Sequence, residues 1–285
     1  MNWISTLNKA LEYIENNLEN EVEIKKIAQI CVCSEYNIQR VFSVISGVTF
    51  GEYIRNRRLS KAAVDIRETD MRIIDIAFKY NYESADAFSK AFKNFHGISP
   101  KDGRVRSNEL KTYPKLHFSM IIKGGKEMKN KIMKREKFRV IGVKRTYKNV
   151  EEGMGNIPEF WNEFNNSPEC EEIFTKMDGK LKGILGLCIP HETGTGYDYM
   201  ICVSSNSKAE GDFQEYMIPE AEWMIFEAKG KLPESVQSMT KQIYEEVLTG
   251  AEYKHDNKPD FELYPSGDIT DENYITEIWV PVVKV

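Results

Sequence analysis

No stretch of the 285 residues approaches the ~18 consecutive apolar side chains that a membrane span requires. The amino-terminal MNWISTLNKALEYIENN reads as an amphipathic, acid-containing helix with no continuous apolar core or cleavage signal, so it does not read as a secretory leader. A cytoplasmic protein with no membrane partner is expected. Cysteine is sparse and odd in number: Cys31, Cys33, Cys170, Cys188 and Cys202 are spread over both halves, which excludes a disulfide framework and suits a reducing compartment. The four histidines, His96, His117, His191 and His255, are dispersed, so neither a zinc site nor any other metal or cofactor is expected. There is also no nucleophile–histidine pair and no phosphate-binding glycine motif, and no catalytic residue is assigned. His191 and His255 fall in expected loops.

What the chain does have is an ordinary soluble composition, 41% hydrophobic and 11% aromatic, and a length that suits two domains. Its net charge of -5 conceals an asymmetry: residues 1–127 carry 20 basic and 16 acidic side chains, residues 128–285 carry 19 and 28. A mildly basic first half suggests a polyanionic partner. Nine of the later cations crowd between Lys129 and Lys148, where they could meet either DNA or the acidic domain itself. Residues 113–127, with Pro114 and Gly124-Gly125, form the expected linker between a domain at 1–112 and one at 128–285.

The first half repeats itself at an offset of 50 residues. Phe42 aligns with Phe92, Gly47 with Gly97, Val48 with Ile98 and Thr49 with Ser99. The apolar positions 38/41/42/45 and 88/91/92/95 trace the stripe of an amphipathic helix, each preceded by a capping serine (Ser34, Ser84) and closed by glycine. A shorter helix precedes each, at Glu23 to Cys31 and Arg72 to Tyr80, so each copy is a helix-turn-helix whose second helix enters the major groove. The strong helix Phe50 to Glu68 joins them.

These residues resemble the DNA-binding domain of the AraC/XylS transcription regulators. The resemblance rests on Ala77, Asn81-Tyr82, Phe88, Lys90 and Phe92-Lys93-Asn94-Phe95-His96-Gly97-Ile98-Ser99-Pro100, and spans residues 7 to about 105. Asn81 stands where glycine is usual yet tolerates a left-handed backbone. Val32, its counterpart, does not, so a differently built first turn is expected. With the apolar stripes inward, the exposed fronts comprise Tyr36, Gln39 and Arg40, with Glu35, in the first copy and Ala85, Asp86, Ser89 and Lys90 in the second. Arg40 suits guanine and Gln39 adenine, Tyr36 can stack or meet a thymine methyl, and Asp86 can accept from cytosine. Arg55, Arg57, Arg58 and Lys61 are candidate phosphate contacts, or plain solubilising charges. Two motifs in one chain would read successive major grooves ~34 Å apart on a bent, asymmetric promoter site. RNA polymerase is a candidate further partner.

The second half changes period. Phe138 to Tyr147, Leu181 to Pro190 and Tyr197 to Ser204 read as strands and Asn156 to Lys176 as a helix. The order recurs as strand Glu215 to Lys229, helix Pro233 to Thr249, and strands Asp260 to Pro265 and Tyr274 to Val285. The expected fold is therefore multidomain: an all-α double helix-turn-helix domain, then an α+β domain of two strand-helix-strand-strand repeats with a cleft between them. The pattern, with PDFELYPSG and YITEIWVPV near the carboxyl end, resembles the GyrI-like small-molecule-binding domains over about residues 130–285. That resemblance implies a glutamate on the penultimate strand, in an aromatic pocket, that attracts lipophilic cations; by position it is Glu262. Alternation puts Glu262 and Tyr264 on one strand face, and a carboxylate among rings needs a counter-charge. Glu277 is the second candidate acid. Tyr147, Trp161, Trp223 and Tyr264 are candidate lining residues, with Tyr197 and Trp279 ranked lower. The expected function is a one-component transcription regulator sensing a hydrophobic, cationic small molecule. The alternatives are a GyrI-like hydrolase using Glu262 or Glu277 to activate water, and a protein-interaction module.

Overall fold

The computed structural model describes residues 3–119, 128–248 and 252–285. The first half contains helices α1 (Trp3–Asn16), α2 (Ile24–Cys31), α3 (Glu35–Ser46), α4 (Phe50–Glu68), α5 (Ile73–Lys79), α6 (Ala85–His96) and α7 (Pro100–Val105). The second contains strands β1 (Asn130–Arg135) and β2 (Phe138–Tyr147), helices α8 (Val150–Asn165) and α9 (Pro168–Thr175), and strands β3 (Ile184–Pro190), β4 (Tyr197–Ser204), β5 (Gln214–Ile218) and β6 (Ala221–Lys229). Helix α10 (Glu234–Gln242) then runs into a π-helical turn at Ile243–Val247, followed by β7 (Tyr253–His255), β8 (Asp260–Tyr264) and β9 (Ile275–Lys284). The chain forms two compact units. Residues 3–32 and 48–119 make one; residues 33–47, which hold α3, join the sheet from 128 onward in the other.

In the helical unit, α4 opens on a reciprocal cap: Thr49 Oγ1 accepts from the Glu52 N–H at 3.2 Å and the Glu52 carboxylate accepts from the Thr49 N–H at 3.0 Å. Its apolar side chains Leu59, Ala62, Ala63 and Ile66 pack with Ile76 and Ala77 of α5 and with Phe88 and Phe92 of α6. Ser84 caps α6 by accepting from the Ala87 N–H at 3.1 Å, and Gly97 ends it in the left-handed region at φ +88°. His96 is buried; its Nδ1 accepts from the Lys111 N–H at 3.0 Å, which leaves Nε2–H to donate to the Leu59 carbonyl at 3.2 Å. Residues 113–119 are not a free linker. Asn8 exchanges two hydrogen bonds with the Phe118 backbone, at 2.8 and 2.9 Å, and Ser60 Oγ accepts from the Tyr113 N–H at 3.0 Å. The remaining linker residues, 120–127 with Gly124-Gly125, lie outside the described residues.

The first turn departs from expectation. Val32 takes the left-handed conformation (φ 54°, ψ 46°), matching Asn81 (φ 61°). The turn geometry is thus shared, and a β-branched residue carries the steric cost in the first copy.

In the other unit the strands form a single antiparallel sheet in the order β1-β6-β9-β8-β3-β4-β2-β5, with β7 on β9. The two repeats are legible in that order: β6-β9-β8 and β2-β4-β3 each run first, third, second strand, and they meet where β8 pairs with β3. Helix α8 packs on β2 and β4, α10 on β6 and β9, and α3 touches both α8 and α10. The expected helix Asn156 to Lys176 is two helices, because Pro168 cannot continue the first and instead starts the second. The expected strand Glu215 to Lys229 is likewise two, split between Ile218 and Ala221 around Pro219. The basic run becomes β1 and β2, and several of its cations pair with acids of the same unit: Lys134 with Glu220 at 2.7 Å, Lys144 with Asp198 at 2.6 Å, and Arg145 with Glu163.

Replacing Val32 with Asn should stabilise the helical unit by about 1 kcal/mol, because the amide side chain tolerates the left-handed backbone. Urea unfolding measures this; an unchanged midpoint would show that the turn holds no strain.

Candidate functional site

The seam between the repeats carries the chemistry. On β8, Asp260, Glu262 and Tyr264 alternate with Phe261 and Leu263, so the two acids and the tyrosine share one face. Opposite them on β3 stand Cys188, Gly186 and Ile184, and one strand further lie Tyr199 and Ile201. Gly186 makes room: a Cβ there would sit 2.3 Å from the Tyr199 hydroxyl and 3.2 Å from a Glu262 carboxylate oxygen. Tyr199 accepts a hydrogen bond from Trp161 Nε1 of α8 at 2.9 Å, and the Trp161 ring meets the edge of Tyr264 at 5.4 Å. The result is a pair of carboxylates walled by Tyr199, Trp161 and Tyr264.

A cation already occupies this wall. The Arg40 guanidinium, from α3, donates to Asp260 at 2.7 Å and to the Tyr36 hydroxyl at 3.1 Å, and lies 3.9 Å from Glu262. All three charged side chains are nearly closed to solvent, Arg40 and Glu262 at 13% exposure and Asp260 at 5%. The Tyr36 ring packs on Tyr197 with centroids 4.9 Å apart. Burial pushes the Glu262 carboxyl up from 4.5 to about 7, against the opposing pull of Arg40 and with a further push from Asp260. Burial also raises the hydroxyls of Tyr36, Tyr199, Tyr244 and Tyr264, which therefore stay neutral. His255 lies on β7 rather than in a loop; burial pulls its imidazole down to about 4, while Asp260 and Arg40 act on it in opposite directions.

Of the residues singled out in the sequence, Glu262, Tyr264 and Trp161 are brought together. Tyr147 lies on the same aromatic side but further along, its ring 5.6 Å from Tyr197. Trp223 and Glu277 do not belong. Trp223 is in the core of the opposite sheet face against Phe261 and Trp279, and Glu277, in register with Leu263, accepts from Trp279 Nε1 at 2.8 Å on that face. Strand parity explains both: Phe226, not Trp223, is in register with Ile278, which faces Glu262. Asp260 and Gly186 were missed, although Asp260 stands two residues before Glu262 and alternation alone puts the two together. Tyr197 lies on the same side and supports Tyr36.

The nucleic-acid residues divide similarly. On α6, Asp86 and Lys90 are exposed, and Ala85 and Ser89 are half-buried. On α3 the expected exposed front is not exposed: Tyr36 and Gln39 are buried and Arg40 is held by Asp260, because the sheet unit covers that face of the helix. Two of the four phosphate candidates serve structure instead. Arg57 is buried and makes a two-pronged ion pair with Glu15, both contacts at 2.7 Å, and Arg58 donates to the Leu18 and Asn20 carbonyls at the end of the α1 region. Arg55 and Lys61 are exposed.

The fold is that of a DNA-binding transcription regulator with an attached small-molecule-binding domain. Family models match a GyrI-like small molecule binding domain over residues 128–283 and a helix-turn-helix domain over residues 27–106. The chain belongs to the GyrI-like family, and its helix-turn-helix part is of the AraC type. Over 96 residues it is 43% identical to the HTH-type transcriptional activator AarP of Providencia stuartii, spanning 34% of this chain and 71% of that one. Over 100 residues it is 30% identical to the multiple antibiotic resistance protein MarA of Salmonella typhimurium (strain LT2), spanning 35% and 79%. The solved structure of SAV2435 bound to tetraphenylphosphonium is similar at 33% identity with a TM-score of 0.51, over 55% of this chain and 94% of that one. Among the described residues no helix is long and apolar enough to cross a membrane.

Two outcomes are expected. A carboxyl raised on folding adds stability that is full below its unfolded value and is lost as pH rises through the folded value. Wild type should therefore lose stability relative to Glu262→Gln between pH 5 and 8, by at most about 3 kcal/mol; parallel urea-midpoint profiles would contradict the raised carboxyl. Arg57→Ala should destabilise the helical unit by about 3 kcal/mol through the orphaned Glu15, whereas Lys61→Ala should stay within about 0.5 kcal/mol. Equal effects in thermal unfolding would return Arg57 to the surface.

Proposed function

We propose that the chain is a one-component regulator that binds promoter DNA through its two helix-turn-helix motifs and senses a hydrophobic, cationic small molecule at the Glu262 seam. The observation that carries this is the acid pair: Asp260 and Glu262, walled by Tyr199, Trp161 and Tyr264, already hold one delocalised cation. A lipophilic cation offers the same charge together with contact to the rings. The tetraphenylphosphonium in the SAV2435 structure, a cation of that description, supports the same ligand class. The effector-binding domain spans 128–285 and the DNA-binding domain 1–112. On DNA, α6 presents Asp86 and Lys90, with Ala85 and Ser89 beside them, and α3 contributes Tyr36, Gln39 and Arg40 when it is free. Arg55 and Lys61 contact phosphate. The protein works in the cytoplasm, and as an activator it would also meet RNA polymerase.

The domain senses rather than catalyses. The relatives matched over the helix-turn-helix part are transcription regulators, and the carboxylate that would have to activate water faces an arginine.

Calorimetric titration with tetraphenylphosphonium tests the reading. Glu262→Gln should weaken binding at least ~10-fold. Because the cation selects the ionised carboxylate, whose protonation midpoint is about 7, wild-type affinity should be ~10-fold tighter at pH 8 than at pH 6. A glutamine variant that binds as wild type does, with no pH dependence, would remove Glu262 from the site.

A further inference from the structure

Helix α3 has two claims on it. Its sequence position makes it the second helix of the first helix-turn-helix, the one expected to enter a groove. Its place in the structure is over the β3/β8 seam, in contact with α8, α10 and the π-helical turn. The residues concerned are the same in both cases. Tyr36 packs on Tyr197, Arg40 is clasped by Asp260 beside Glu262, and Gln39 is buried with its amide donating to the Glu35 carbonyl at 3.1 Å. A helix whose base-reading side chains are enclosed by protein cannot offer them to a duplex.

We propose that α3 is the protein's own occupant of the effector cleft, with Arg40 standing where the cationic centre of an effector binds, so that effector and Arg40 displace one another and the effector-bound chain is the one that presents α3 to DNA. The proposal rests on the Glu262 face being a cation site. Three features support it. A guanidinium is planar, delocalised and weakly hydrated, the protein side chain nearest in character to a lipophilic cation. Asp260 and Glu262 are both nearly closed to solvent with the Arg40 guanidinium 2.7 and 3.9 Å from them, so a bulky cation that reaches the pair has to take the space the guanidinium fills. The Tyr244 hydroxyl, from the turn that touches α3, is buried without a hydrogen-bond partner among the described residues, a polar group that the docked helix leaves unused.

The scheme fixes the sign of regulation: effector and duplex each favour the undocked helix, so each must raise the affinity for the other by the same factor.

Three measurements on the full chain test it. First, without DNA, Arg40→Ala should bind tetraphenylphosphonium ~10-fold more tightly than wild type, since the internal competitor is gone; unchanged affinity, with Glu262→Gln binding lost, would overturn the latch and leave the cation site standing. Second, Asp260→Asn should bind a duplex selected in vitro with that variant ~10-fold more tightly than wild type in the absence of any cation, and gain little from tetraphenylphosphonium. Equal affinities would overturn the latch even if Glu262→Gln had shown that the cation binds elsewhere. Third, hydrogen exchange on wild type needs no substitution and so survives a variant that misfolds: amides of residues 35–46 should exchange faster with tetraphenylphosphonium bound, and slower or unchanged exchange would overturn the proposal.

Discussion

Two carboxylates on one strand face, a residue apart and both withdrawn from water, cannot stay ionised together without a cation between or beside them. That constraint at Asp260 and Glu262 organises much of what surrounds it. It accounts for the guanidinium of Arg40 at 2.7 Å from Asp260, for the raised Glu262 carboxyl, and for the neutral ring of tyrosines that neither adds nor removes charge. It also explains why α3 belongs to the sheet unit: an arginine buried against two acids, together with a tyrosine stacked on Tyr197, gives the helix a docking surface independent of its neighbours in sequence.

Much of the architecture was legible from periodicity. Phe138–Tyr147 and Tyr197–Ser204 were read with their true bounds because β-branched and aromatic residues alternate there between clear turn signals. The duplicated capped helices were equally plain, since serine and glycine mark both ends of each. Boundaries failed at proline: Pro168 opens a second helix where one was expected, and Pro219 separates two strands where one was expected. Helix α8 starts at Val150, earlier than expected from Gly153 and Gly155, which disfavour helix locally. Packing overrides them, and Gly153 is where the helix comes closest to Tyr197, a Cβ there falling 1.6 Å from the tyrosine hydroxyl.

The site was only half legible, for a different reason. Alternation fixes which residues of one strand share a face, so Glu262 and Tyr264 could be paired without coordinates. It does not say which face of a distant strand joins them, and only the register shows that Trp223 and Glu277 lie on the other face. The fate of α3 was hidden more deeply. Tyr36, Gln39 and Arg40 suit a DNA groove by chemistry, and the same aromatic and cationic groups suit an acidic, tyrosine-lined cleft. Sequence shows the groups but not which of the two surfaces holds them. Arg57 is a similar case: a cation on a helix reads as solvent-facing until its partner, 42 residues earlier, is seen.

The junction of β8 with β3 has one more consequence. These strands sit in the interior of the sheet, each hydrogen-bonded on both sides, so the acids they carry rest on backbone that has little freedom to shift. The side chains overhead come from helices, which can slide or tilt without breaking a ladder. Any change in the room above Asp260 and Glu262 therefore has to come from the roof, while the floor keeps the two acids where the ladder holds them.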